Sequence, residues 1–206
     1  LVQLTSNLVS GYILAGHGGP KDINVDGLIG AEDLRVFRTI SCAVPGEDGR
    51  CNPAGFAWRL ALATGDGPSE RLLVKPLAVA GILFAATFIP DADPCRGGGE
   101  TWLFAMELDS GRPVPLALFD LNRDGVIDQA DNMFIDQQGR RQLVGGYLVG
   151  RGRPTGLSLH GDRLIIHMAR AAGEAGDEQA VLQEVNEVKI PGLRAKFQAW
   201  RQLFVE

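Results

Sequence analysis

Short apolar runs that break at glycine-containing turns constrain this chain more than any other feature. Leu72 to Val79 and Ile82 to Phe88 flank Ala80-Gly81, Trp102 to Leu108 and Val114 to Phe119 flank Asp109-Ser110-Gly111-Arg112, and Gly156 to Leu159 and Arg163 to Met168 flank His160-Gly161-Asp162. Runs of this length suit strands, and glycine supplies the positive φ that tight hairpin turns demand. Hairpins recurring in this way predict antiparallel sheet, arranged as a sandwich or as the blades of a propeller. With 206 residues and 45% hydrophobic content, the chain is globular and long enough for one large domain or two small ones.

One short helix is expected in this β-rich pattern. Leu34, Phe37 and Ile40 fall at helical spacing after Ala31-Glu32-Asp33. Ala171 to Gln179, rich in alanine, glycine and acid, reads as an exposed loop, and Ala195 to Glu206 as a closing strand or short helix. The most apolar stretch, Pro76 to Pro90, is interrupted by Gly81 and too short to span a bilayer, so no membrane span is expected.

Two segments, Asp22–Asp33 and Asp120–Asp131, spell the same twelve-residue pattern with the ligand spacing of a calcium-binding loop. Asp22, Asn24 and Asp26 occupy positions one, three and five of the first, Gly27 position six, Leu28 position seven and Asp33 position twelve. Asp120, Asn122, Asp124, Gly125, Val126 and Asp131 hold the same places in the second. Alternate residues supply hard oxygens because the chain must curl around one ion. Position seven offers its backbone carbonyl, and the glycine permits the sharp turn. Asp128 at position nine can reach the ion, directly or through water, whereas Gly30 cannot, so the first site should be the weaker. An aspartate at position twelve is shorter than the usual glutamate and points to structural sites with dissociation constants on the order of 0.1 to 1 mM. The competing reading is that Asn-Val-Asp-Gly and Asn-Arg-Asp-Gly are simply turns. Repetition of the full spacing favours Ca2+.

A net charge of −5 argues against nucleic acid as a partner. Arg140, Arg141, Arg151 and Arg153 gather locally and read as a solvated loop. Cys42 and Cys51 bracket a short loop rich in turn residues, a spacing that fits a disulfide in an exported protein, which leaves Cys95 odd. No zinc spacing is present. Leu1 opens without a methionine or an apolar leader, which reads as a piece of a longer parent chain.

Thr87-Phe88-Ile89-Pro90-Asp91-Ala92-Asp93-Pro94-Cys95, then Gly97-Gly98-Gly99 and Trp102-Leu103-Phe104-Ala105-Met106, resembles the C-terminal propeller region of the PilY/PilC family of type IV pilus biogenesis factors and tip-associated adhesins. Phe119 to Gly125 matches that family's Phe-Asp-x-Asn-x-Asp-Gly segment, Gly150 to Gly156 its Gly-x-Gly-x-Pro-Ser segment, and Trp200-Arg201-Gln202-Leu203 its Trp-Arg-Gln-Leu ending. The resemblance runs from about Phe56 to Leu203. It implies part of a modified β-propeller within a single unit spanning 1–206, in which the Asp22 loop departs from the family pattern and reads as a calcium-loop insertion at about residues 20–52. It also implies a place at the cell surface or fimbrium, outer membrane-associated or extracellular, and a calcium-dependent role in pilus biogenesis and adhesion. The partners it implies are the rest of the parent chain, pilus components such as minor pilins, and a host or surface receptor.

Two other classes compete. The first loop with its helix resembles a dockerin, which would make the chain a calcium-dependent docking module, but dockerins place both loops in one compact unit and here sheet intervenes. An enzyme, including a propeller-type one, is the weaker reading. His17, His160 and His167 have no serine or cysteine in a recognisable catalytic setting, and His17-Gly18-Gly19 reads as a glycine-rich turn. His167, on an apolar strand, reads as a satisfied core histidine, and Trp58, Trp102 and Trp200 as core or closure residues. A non-enzymatic binding protein is the expectation.

Overall fold

A computed structural model describes residues 2–10, 12–13, 36–42, 58–62, 68–93, 98–121, 125–135, 138–169 and 182–187. The strands, in chain order, are β1 (Val2–Ser10), β2 (Tyr12–Ile13), β3 (Val36–Cys42), β4 (Trp58–Ala61), β5 (Arg71–Leu72), β6 (Leu77–Val79), β7 (Ile82–Pro90), β8 (Gly99–Glu107), β9 (Met133–Ile135), β10 (Arg141–Leu143), β11 (Gly146–Arg151), β12 (Arg153–His160), β13 (Arg163–Ala169) and β14 (Leu182–Glu187). The chain is mainly β, as its hairpin pattern predicts.

The largest sheet runs β4-β1-β3-β11-β8-β7-β5, with β6 also paired to β7; β10-β9-β2 and β12-β13-β14 form two smaller sheets. Pairing is antiparallel except between β1 and β4. The β7–β8 ladder is the longest, from Ile82 opposite Glu107 to Pro90 opposite Gly99. Both strands read as nearly continuous apolar runs because the sheet is covered on both faces. Along β8, Leu103 and Ala105 join one core cluster with Phe37, Phe84, Phe119, Phe134, Leu164 and Ile166. Trp102, Phe104 and Met106 join a second cluster with Ile40 and Ala85 on the other face.

The large sheet curls into a half-barrel. Trp58 lies on the edge strand β4, separated from β8 by β1, β3 and β11, yet its indole Nε1–H donates to the carbonyl of Leu108, just past β8, at 2.9 Å. A flat sheet would hold these two strands four spacings of about 4.8 Å apart.

Two of the three predicted hairpins form. Ala80 (φ 51°) and Gly81 (φ 81°) join β6 to β7 with left-handed backbone at both positions, as a two-residue turn requires. Gly161 (φ 65°) turns β12 into β13. The middle hairpin does not form. The turn after β8 is made, with Gly111 at φ 69° and Glu107 N–H donating to Arg112 O at 2.8 Å, but the return run pairs only through Met106 and Pro113. Pro113 and Pro115 deny the ladder two donors. The run crosses the core as irregular chain, burying Val114, Leu118 and Phe119, and β11 takes the place beside β8.

The helix expected through Phe37 and Ile40 is corrected to strand β3 from Val36 onward. Three-residue spacing put Phe37 and Ile40 on one helical face. In the strand they point to opposite faces, one into each cluster, and the run Val-Phe-Arg-Thr-Ile is rich in residues that suit a pleated surface. The arginines read as a loop are also corrected in part. Arg141, Arg151 and Arg153 lie on strands, exposed, and Arg151 pairs with Asp91 at 2.6 Å. The stretches 171–179 and 195–206 lie outside the described residues.

Candidate metal centre

The second loop hangs between buried anchors. Phe119 and Leu121 at its start and Ala130 and Phe134 at its end are buried, while Gly125, Val126, Asp128 and Gln129 are exposed. Apolar residues therefore pin both ends of a polar arc to the core. Gly125 has φ 84°, and no atom lies within 4 Å of where its Cβ would sit. Backbone conformation, not space, selects glycine at position six.

Three of the predicted ligands shape this arc through their carboxylates. Asp120 Oδ2 accepts from Gly125 N–H at 2.9 Å. Asp131, 2% exposed, accepts from Leu121 N–H on Oδ1 at 2.8 Å and from Asp128 N–H on Oδ2 at 3.1 Å. Asp128 Oδ1 accepts from Ala130 N–H at 2.7 Å. Asp128 and Asp131 form a reciprocal capping box on a single 3₁₀ turn, Gln129–Asn132, that leads directly into β9. No α-helix follows this loop, in keeping with the short segment before Gly139.

Asp120, Val126, Asp128 and Asp131 are thus brought onto one loop, whereas Asn122 and Asp124 lie outside the described residues, as do Asp22, Asn24, Asp26, Leu28 and Asp33. Among the described residues no group of three or more His, Cys, Asp or Glu side chains is placed to hold a metal ion. The donor chemistry nevertheless fits a hard cation. An ionised carboxylate has about four lone-pair sites, so accepting one or two N–H bonds does not exhaust it. Asp120, Asn122, Asp124, Asp128, Asp131 and the Val126 carbonyl would hold calcium, with Asp131 also fixing the loop ends. Bound calcium would offset the repulsion among these carboxylates.

Other residues singled out by the sequence fall elsewhere. Cys42 ends β3 half-buried, and Cys51 and Cys95 lie outside the described residues, as do His17 and Trp200. His167 is not a core histidine. It sits half-buried on β13, between buried Ile166 and Met168, and its Nε2 shares a 2.9 Å hydrogen bond with Ser158 Oγ on β12. Strand alternation turns it away from the cluster that holds its neighbours. Trp102 is a core residue as expected.

One polar cluster had no sequence signal. Arg38 on β3 is 2% exposed and its Nη1 donates to both Oε1 and Oε2 of Glu70 at 2.6 Å. Thr87 Oγ on β7 donates to the same Oε1, and the guanidinium lies over the Trp102 ring. The four residues are scattered through apolar and turn-like contexts, so only the tertiary fold reveals them.

No family model matches the sequence. The chain is 28% identical over 80 residues to the type IV pilus biogenesis factor PilY1 of Pseudomonas aeruginosa strain UCBPP-PA14, a match covering 38% of this chain and 7% of that protein. Against PilY1 of strain PAK the identity is 27% over 77 residues, covering 37% of this chain and 7% of that protein. The crystal structure of the P. aeruginosa PilY1 C-terminal domain superposes with a TM-score of 0.51 at 19% identity, covering 84% of this chain and 30% of that one. The fold is PilY1-like. The sequence match supports the PilY1-like reading, and at 19% identity the structural likeness to PilY1 speaks for the fold alone. A dockerin-like first loop has no support in the PilY1 comparisons, and its residues lie outside those described. Among the described residues no helix is long and apolar enough to cross a membrane.

Proposed function

We propose that this chain is a calcium-binding, non-enzymatic portion of a surface protein acting in type IV pilus biogenesis and adhesion. The observation that carries the reading is the coincidence of two comparisons on one protein. A stretch of sequence matches a pilus biogenesis factor, and most of the chain follows the fold of that protein's C-terminal domain. Two calcium-type loops add to it, because ion-filled loops are a common way to stabilise extracellular modules. The role assigned to calcium is structural: it gathers carboxylates that would otherwise repel and so fixes the Asp120–Asp131 arc on its apolar anchors. The partners are pilus components such as minor pilins, the rest of a longer parent chain, and a surface receptor. The location is the cell surface or fimbrium.

The test is genetic and physical together. The longer parent protein carrying Asp124→Ala should show reduced surface piliation and twitching, while the purified chain with the same change should lose one calcium-binding event by calorimetry. Loss of binding with normal piliation would remove calcium from the functional account. Normal piliation on deleting the whole region would sink the pilus reading itself.

A further inference from the structure

Between Pro68 and Gly81 the only buried residue is Glu70. Of the apolar side chains that follow it, Leu72 is 46% exposed and Leu73 38%, and Val74 is only partly buried against the core. A segment that buries its carboxylate and exposes its leucines is held by that carboxylate together with the one apolar contact of Val74. Its backbone pairing is correspondingly slight, since β5 contributes only Arg71 opposite Phe88 and Leu72 opposite Thr87 before the chain reaches β6.

The receptor for the carboxylate is assembled from the sheet, not from the segment. Arg38 comes from β3, Thr87 from β7 and Trp102 from β8. The guanidinium rests 3.9 Å from the Trp102 ring centre and 5.7 Å from that of Phe104. Arg38 is itself buried beneath the seated segment, so in that state its charge needs a carboxylate partner. Arg38 Nε and Trp102 Nε1 are buried with no hydrogen-bond acceptor, so the receptor carries more donor capacity than Glu70 uses.

We propose that residues 68–76 form a detachable strap, and that the groove it fills, the outer edge of β7 together with the Arg38–Thr87 carboxylate receptor, is a docking site for an extended segment of another protein bearing a glutamate at the anchor position. The strap is the internal version of that ligand. Strand addition supplies main-chain hydrogen bonds along β7, and the buried carboxylate supplies register and selectivity. Charge complementarity identifies the ligand, because an uncharged or basic residue in the anchor position would leave Arg38 buried without a counter-ion.

The probe is a fluorescent peptide with the strap's own sequence, residues 67–79, titrated against the intact chain and against Glu70→Gln, which keeps the shape of the anchor and removes its charge. The expected result is binding at least tenfold tighter to the Glu70→Gln chain than to the wild type, and loss of that binding when the peptide itself carries the Glu70→Gln change. A folded Glu70→Gln chain that ignores the peptide overturns the proposal. Amide exchange of the wild type decides independently of any variant. Exchange at Arg71 and Leu72 through an opening insensitive to low urea, while β8 amides exchange only on global unfolding, supports a detachable strap; exchange of both sets in one global step overturns it.

Discussion

The guanidinium of Arg38 stacks on the indole of Trp102, 3.9 Å from its centre, although β3 and β8 are separated in the sheet by β11. The contact crosses β11 where that strand carries Gly146, opposite both Arg38 and Phe104. A residue with no side chain leaves room for the arginine to reach over its neighbour strand. The energetic consequence is asymmetric. Glu70→Ala leaves a buried charge uncompensated and should destabilise the chain by about 3–5 kcal/mol. Replacing Arg38 and Glu70 together by Met and Leu should recover most of that loss. Urea unfolding of the three variants checks it, and equal losses in the single and double variants would contradict the account.

Gly146 and Gly81 make a second, paired prediction. A Cβ on Gly146 would sit 2.6 Å from the Phe104 ring and 3.0 Å from the Leu103 carbonyl, whereas nothing lies within 4 Å of one on Gly81, where φ is +81°. Gly146→Ala should therefore destabilise by overpacking, by about 1–3 kcal/mol. Gly81→Ala should lose about 1 kcal/mol or somewhat more from backbone strain alone. Thermal melts distinguish them further when Phe104→Leu is added, which should relieve Gly146→Ala and leave Gly81→Ala unchanged.

For the metal loop, saturating a site at about a hundred times its dissociation constant adds about 2.7 kcal/mol, enough to move a melting temperature clearly. That gain should vanish in Asp124→Ala. Asp131→Ala should behave differently. Because Asp131 receives the N–H groups of Leu121 and Asp128, its loss should reduce stability by about 1–3 kcal/mol even in calcium-free buffer. Melts with and without chelator separate the two, and an Asp131→Ala chain that matches the wild type without calcium would show that the capping box contributes nothing.

The proposed Cys42–Cys51 bridge is checked by mass spectrometry before and after reduction, and a closed loop of that size is worth about 2–3 kcal/mol. A Cys42→Ser, Cys51→Ser chain with an unchanged melting temperature would remove the bridge from the stability account.

How much of this was legible beforehand depended on the range of the interactions. The β6–β7 and β12–β13 hairpins were, because turn residues and flanking alternation lie within a few positions of each other. The turn at Gly125 in the Asp120 loop was, because its pattern is local and its glycine is required by φ. The strand identity of Val36–Cys42 was not: Phe37 and Ile40 fit a helical face and two opposite strand faces equally well, and the choice is made by β1 on one side and β11 on the other. The missing strand after Gly111 was hidden behind apolar residues, although Pro113 and Pro115 were the clue. The Arg38–Glu70–Thr87–Trp102 cluster joins residues as much as 32 positions apart in its ion pair alone, and no spacing rule reaches that far.

The place of β3 between β1 and β11 bears on how the molecule is made. During synthesis β1 and β3 emerge early and can pair, and β7 and β8 can follow as their own hairpin, but the backbone ladder between the two pairs is completed only when β11 leaves the ribosome and slots between β3 and β8. Loop closure over that much chain is slow. Until then the edges of β3 and β8 that β11 will cover stand open, and unpaired apolar edges are the surfaces through which partly folded chains aggregate.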